Sequence, residues 1–290
     1  MDDLNVIWPI PGRYVVAVSG GADSMVLLDV MARSATQHNY ELSVAHFDHG
    51  LRTDSAIDEQ FVESAAALYS LPYDHHEGKL GHASEASARA TRHAWLEEVR
   101  VHRRADAILT AHHQDDLLET SLLNLARGSG RLGLAPMRTR IILKRPLIDL
   151  SRVDLRTYAA QHKIFWREDP TNADITNARN LLRHNLLSAA SPAWRASYLE
   201  NIAKLATLNT KIDQSISVII DSAQQNTQTY RFSVSFLRSL QRAVLEELIV
   251  GTARKLHPGI ALDRPLVTIA ATFVHTATTG KIRPLRVGVQ

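Results

Sequence analysis

The stretch VVAVSGGADSMVLLDVMA, Val15 to Ala32, decides how the chain is read. An apolar, β-branched run enters Ser-Gly-Gly-Ala-Asp-Ser and leaves at once in a helix-period pattern, so strand, tight turn and helix follow without a spacer. Such a turn aims unpaired backbone amides and the positive end of a helix dipole at one spot, where an anion such as phosphate is the natural occupant. Gly20 and Gly21 allow close backbone approach, and Ser19 and Ser24 add hydroxyl donors. Spacing alone also fits a tight turn with an N-capping serine. Asp23 is out of place beside phosphates unless a Mg²⁺ ion bridges the two, so it is read as a metal contact. No GxxxxGK[ST] occurs, and no G-x-G-x-x-G follows the first strand, which leaves ordinary kinase or ATPase loops without their signature.

Working outward, strand-like runs lie at Tyr14–Val18, Leu42–Phe47, Asp106–Thr110 and Arg140–Ile148. Helix-period stretches separate them at Ser24–Arg33, Ile57–Tyr69, Glu85–Val101 and Gln114–Ala126. This alternation predicts an α/β fold with a doubly wound, mostly parallel sheet, and ligands beyond the carboxyl ends of its strands. SGGADS, then Asp48 and His49, then His112 to Asp116 all follow such ends. The texture changes at SAASPAW, Ser188 to Trp194, and helical patterns follow at Arg195–Ser222 and Leu237–Leu256. Residues 1–190 are therefore expected to form the nucleotide-binding domain, and 191–290 a smaller, mainly helical one.

At 290 residues there is room for both. No apolar run reaches the roughly 18 residues that span a bilayer, and the acidic N-terminus does not resemble a signal peptide, so a cytoplasmic protein without membrane contact is expected. There is no cysteine, which excludes disulfides, thiolate metal sites and thiol nucleophiles. Net charge is only +3, yet Arg127 to Arg195 holds 13 Lys or Arg against 5 Asp or Glu, a basic middle suited to a polyanion.

SGGADS after an apolar strand resembles the signature of the N-type ATP pyrophosphatases (the PP-loop superfamily), which split ATP between the α and β phosphates and adenylate an acceptor. Five further motifs, VAHFDHGLR (Val44–Arg52), SARATRHAWL (Ser87–Leu96), AHHQDDLLET (Ala111–Thr120), RGSGRLGLAPM (Arg127–Met137) and REDPTNADITNARNLLRHNLL (Arg167–Leu187), together resemble the tRNA(Ile)-lysidine synthetase family. The resemblance implies ATP and Mg²⁺ as cofactors, and free L-lysine and a CAU-anticodon tRNA(Ile) as partners. The implied reaction adenylates C2 of the wobble cytidine and displaces AMP with the lysine amine. With no cysteine to carry sulfur or hydrolyse glutamine, direct attack by an amine is the chemistry left over. The other readings are a PP-loop enzyme acting on a different tRNA base or a small molecule, and a nucleotide-binding module without turnover.

The candidate residues follow. Ser19, Gly20, Gly21, Ala22, Asp23 and Ser24 are assigned to ATP, with Asp23 also to Mg²⁺. Asp48, His49 and Arg52, past the second strand, are assigned to ATP as well, although a loop-bridging Asp is as common there. Arg89 and Arg92 share a helix face; a surface ion pair would explain Arg89, four residues after Glu85, while the resemblance puts both at the nucleotide and Arg92 at the α-phosphate. His112 is assigned to ATP. The histidines His46, His49, His75, His76, His112 and His113 lack a metal-ligand spacing. Asp116 and Glu119 lie on one helical face; they equally complement a helix dipole, and the resemblance makes them the lysine site. A carboxylate or a histidine could take the amine proton. Arg127, Arg131, Arg179 and Arg183 are assigned to tRNA, and Asn172, Asp174, Arg179 and Asn180 match a family segment at the domain entrance. The tail leaves room for one helical domain, and its TTGKIRPLR ending matches nothing. Oligomeric state is left open, a homodimer being one option.

Overall fold

The computed structural model describes residues 4–48, 55–78, 85–137, 141–168, 178–226, 228–257 and 262–277. His49, Arg52, Asn172, Asp174 and the TTGKIRPLR ending lie outside them. By internal contacts the chain divides into two units, residues 1–203 and 204–290. The division falls inside a helix that runs on from Pro192, beyond the break in texture near Ser191.

The first unit opens with β1 (Gly12–Ala17), α1 (Ala22–His38), β2 (Tyr40–Asp48), α2 (Ser55–Leu68), β3 (Tyr73–Glu77) and α3 (Glu85–His102). It continues with β4 (Ala107–Leu109), α4 (Gln114–Ala126), the short α5 (Arg131–Leu134), β5 (Leu143–Lys144) and α6 (Arg152–Gln161). The five strands form one sheet in the order β3-β2-β1-β4-β5, every pair parallel. The expected doubly wound α/β sheet is what the chain forms. Successive residues of β1 face opposite sides, so Val16 joins the core with α1 and α6 while Val15 joins the core with α3. Strand β3, YDHHE, is absent from the sequence reading because an exposed edge strand needs no apolar alternation. Among the described residues, the run expected at Arg140–Ile148 supplies two strand residues, Leu143 and Lys144.

One buried acid ties three helices together. Asp29 of α1, 2% exposed, accepts hydrogen bonds from the hydroxyls of Tyr69, just past α2, and of Tyr158 on α6, the latter at 2.8 Å. Arg33 Nε donates to the same carboxylate at 2.8 Å. Beyond α6 come α7 (Ala178–Leu182), a π-helical turn over Arg183–Leu187, and α8 (Pro192–Ser222).

The second unit holds the end of α8, a hairpin of β6 (Gln224–Asn226) and β7 (Thr229–Tyr230), and helices α9 (Val234–Ser239), α10 (Arg242–Leu256) and α11 (Arg264–Thr276). The helical pattern at Leu237–Leu256 is split at Leu240 and Gln241, and α11 goes beyond the sequence reading. In α10, Gly251 lets the backbone approach α8: a Cβ there would sit 2.8 Å from Ile220 Cδ1.

Candidate active site

A cavity of about 660 Å³ opens at the carboxyl edge of the sheet, in the first unit. That edge is where β1, β2 and β4 deliver the turns singled out in the sequence, beside the β1–β4 switch point of the strand order.

The turn after β1 is built around Gly20, whose φ of +85° is closed to most side chains. The helix then starts from Gly21, which supplies no side-chain cap. Ser24 closes the turn: its hydroxyl donates to the Gly21 carbonyl at 2.9 Å and accepts from Ser19 N at 3.1 Å. The first-turn amides of α1 have no helical acceptors of their own. Ser19, Gly21, Ala22, Asp23 and Ser24 all line the cavity.

Asp23 faces His113. This histidine is fully buried and caps α4, its Nδ1 accepting from Asp115 N at 3.2 Å. With Nδ1 so occupied, the neutral ring carries its proton on Nε2, which lies 3.4 Å from Asp23 Oδ2 and 3.5 Å from Asp116 Oδ2. Burial alone would raise the pKa of Asp23, but the His113 contact and the charges of Arg152 and Arg156 prevail and hold it below the usual carboxylate range. Burial pushes His113 down and the carboxylates of Asp23 and Asp116 outweigh it, so its pKa rises. Asp116 completes the cap by accepting from His113 N at 3.1 Å, and it lines the cavity.

His112 turns to the cavity on the other side, with Nδ1 2.9 Å from Thr110 Oγ1. Burial, helped by Arg145, Arg92 and Arg89 against the opposing pull of Asp116, pushes its pKa down to about 4, so the ring is neutral at pH 7. Arg92 is also in the wall, its Nε buried without a hydrogen-bond partner. Ala45, Phe47, Asp48 and Leu96 line the same cavity. Arg89, in contrast, is exposed and outside the wall.

The acidic pair of α4 is divided. Glu119 is fully buried and outside the cavity wall, where Arg183 grips both its oxygens, Nε to Oε1 at 2.7 Å and Nη2 to Oε2 at 3.0 Å. Arg179 lies 3.8 Å from the same carboxylate. Arg179 and Arg183, expected to contact tRNA, both face this buried acid, and Arg183 lines the cavity. Glu119, expected to meet lysine, is paired with Arg183. Arg127 stays exposed at the end of α4, and Arg131 lies partly buried on α5.

Other cations of the basic middle also turn inward, which the sequence reading did not foresee. Arg152 and Arg156 from the start of α6, and Arg167, join the wall on the side of the glycine turn. Arg195 pairs with Asp115 at 2.7 Å, and Arg152 N donates to the same carboxylate at 2.9 Å. The i, i+4 spacing of Arg152 and Arg156 was the available signal, but on a helix of unknown orientation it also describes a solvated face.

A parallel sheet whose glycine turn, acid and inward cations converge on one cavity defines a PP-loop protein, and residues 9–190 match the family described as PP-loop domain. The tRNA(Ile)-lysidine synthase of Nitrosomonas europaea is 32% identical over 251 residues, covering 82% of this chain and 54% of its own. That of Gloeobacter violaceus is 31% identical over 258 residues, covering 84% and 79%. The chain belongs to the tRNA(Ile)-lysidine synthase family. It spans about half the length of most of the curated relatives it matches. Among solved structures, the U34-tRNA thiolase of Methanococcus maripaludis matches with a TM-score of 0.55 at 15% identity, over 69% of this chain and 74% of that one, a likeness of fold.

Proposed function

We propose that this chain ligates free L-lysine to C2 of the wobble cytidine in a CAU-anticodon tRNA(Ile), using ATP and releasing AMP and pyrophosphate. The observation that carries the reading is the convergence of the Ser19–Ser24 turn, Asp23, Arg92 and Asp116 on one cavity. The turn's amides receive phosphate oxygens, and the pocket between Ala45, Phe47 and Leu96 receives the adenine. Asp23 fits a Mg²⁺ ion: it is an ionised carboxylate, partly exposed to the cavity, and this metal is commonly held by one or two carboxylates together with substrate phosphates. When bound, the ion supplies charge neutralisation on the phosphates.

Two displacements follow. The cytidine O2 attacks the α-phosphorus and pyrophosphate leaves; the lysine side-chain amine, having given its proton to a carboxylate or histidine of the site, then attacks C2 and AMP leaves. Arg92, desolvated and short of a partner at Nε, stabilises charge developing on the α-phosphate. Asp116 receives the lysine ammonium, while Glu119 contributes by holding Arg183 in place. Arg127 and Arg131 contact tRNA phosphates, with the helical second unit assigned to tRNA as well.

Incubation with radiolabelled lysine, ATP, Mg²⁺ and unmodified tRNA(Ile) transcript tests the reading, with elongator methionine tRNA as control. Label entering only tRNA(Ile), at its wobble cytidine, is the expected result. ATP consumption without labelling would overturn the acceptor, and no consumption would overturn the enzyme reading.

A further inference from the structure

Of the arginines that line the cavity, the mechanism above gives a phosphate role to Arg92 alone. Arg92 stands on α3, with Leu96 one turn further on. Arg152, Arg156 and Arg167 stand on the side of the glycine turn, where Arg167 N also donates to the Gly20 carbonyl at 3.0 Å. We propose that Arg152, backed by Arg156 and Arg167, is a grip for the pyrophosphate half of the nucleotide, and so for the leaving group. The inference rests on the reading of the cavity as an ATP site.

The turn supplies amides and hydroxyls but no lysine, so the β and γ phosphates need cations from elsewhere. Two of the three arginines are already fixed. Arg156 Nη1 lies 2.9 Å from Glu168 Oε1 and its guanidinium sits over the Trp166 ring at 4.7 Å; Arg167 pairs with Asp58. Arg152 alone of the three has a guanidinium in no ion pair among the described residues, while its backbone is anchored through N–H to Asp115. A partly buried cation with a fixed backbone and a free head beside Asp23 is suited to accept an incoming anion. In the adenylation step the acceptor oxygen bonds to the α-phosphorus, and the bond from that phosphorus to the α,β-bridging oxygen breaks. The electron pair stays on pyrophosphate, whose charge rises where Arg152 stands.

The test is calorimetric titration of the whole chain with Mg²⁺-pyrophosphate and, separately, with AMP, for wild type, Arg152→Gln and Arg152→Lys. The expected result is about tenfold or more weaker pyrophosphate binding in R152Q, unchanged AMP binding, and partial recovery in R152K. Pyrophosphate binding by R152Q at wild-type strength overturns the inference, as does equal loss of both ligands, which marks a structural role. A wild type that binds neither ligand overturns the ATP reading itself and the inference with it.

Discussion

At the scale of single residues, the acids differ in what they can lose. Asp23 is ionised and faces the cavity, so Asp23→Asn keeps the shape and removes the charge that would hold Mg²⁺. AMP formation is expected to fall by about a hundredfold or more and to respond less to added Mg²⁺, measured by titrating the metal at fixed ATP. Asp29 serves the fold instead. Asp29→Asn deprives Tyr69, Tyr158 and Arg33 of a shared charged acceptor, at a cost of about 2–3 kcal/mol in a urea unfolding curve. His112 sets a pH dependence whose sign is fixed. Its folded pKa is near 4 and its ordinary value 6.5, so between these the unfolded chain binds the proton first. This contribution to stability is complete above about pH 6.5 and lost as pH falls toward 4. Melting temperatures over that range should fall less steeply in His112→Asn than in wild type.

At the scale of elements, what was legible in the sequence is what local pattern determines. The β1–turn–α1 unit announces itself because five apolar residues, two glycines and a helix stripe are contiguous, and Asp48, His112 and Asp116 follow from knowing which strand ends they trail. Strand β3 was not legible because its pairing with β2 comes from backbone register, Val44 to Tyr73 through Asp48 to Glu77, and not from apolar side chains. The inward turn of Arg152 and Arg156 depends on how α6 seats against α1, and the Glu119–Arg183 pair joins residues 64 positions apart. No window of sequence contains either. Helix seating is testable in the second unit. Gly251→Ala brings a Cβ within 2.8 Å of Ile220 Cδ1 and 3.0 Å of Ile216 Cγ2. The crowding, about 1–3 kcal/mol, exceeds the gain in helix propensity of about 1 kcal/mol, so melting temperature should drop. Ile220→Val on that background should return part of it.

At the scale of the whole molecule, the basic middle is spent in two ways. Part is absorbed by the cavity and its buried acids, and Arg127 remains exposed for an external polyanion. Affinity for tRNA is therefore expected to fall linearly in a plot of log K against log salt, and Arg127→Gln to flatten the slope by about 0.7–0.9 while ATP binding is unchanged, read by filter binding. The strand order has a further consequence, one of timing. Strand β1 sits between β2 and β4, and its Val16 meets Leu109 only when β4 exists. At synthesis rates of about 5–20 residues per second, a growing chain carries one open edge of β1 for roughly five to twenty seconds. Through that interval the nascent protein depends on the ribosome's surroundings, not on its own sheet, to keep that edge from pairing with another chain.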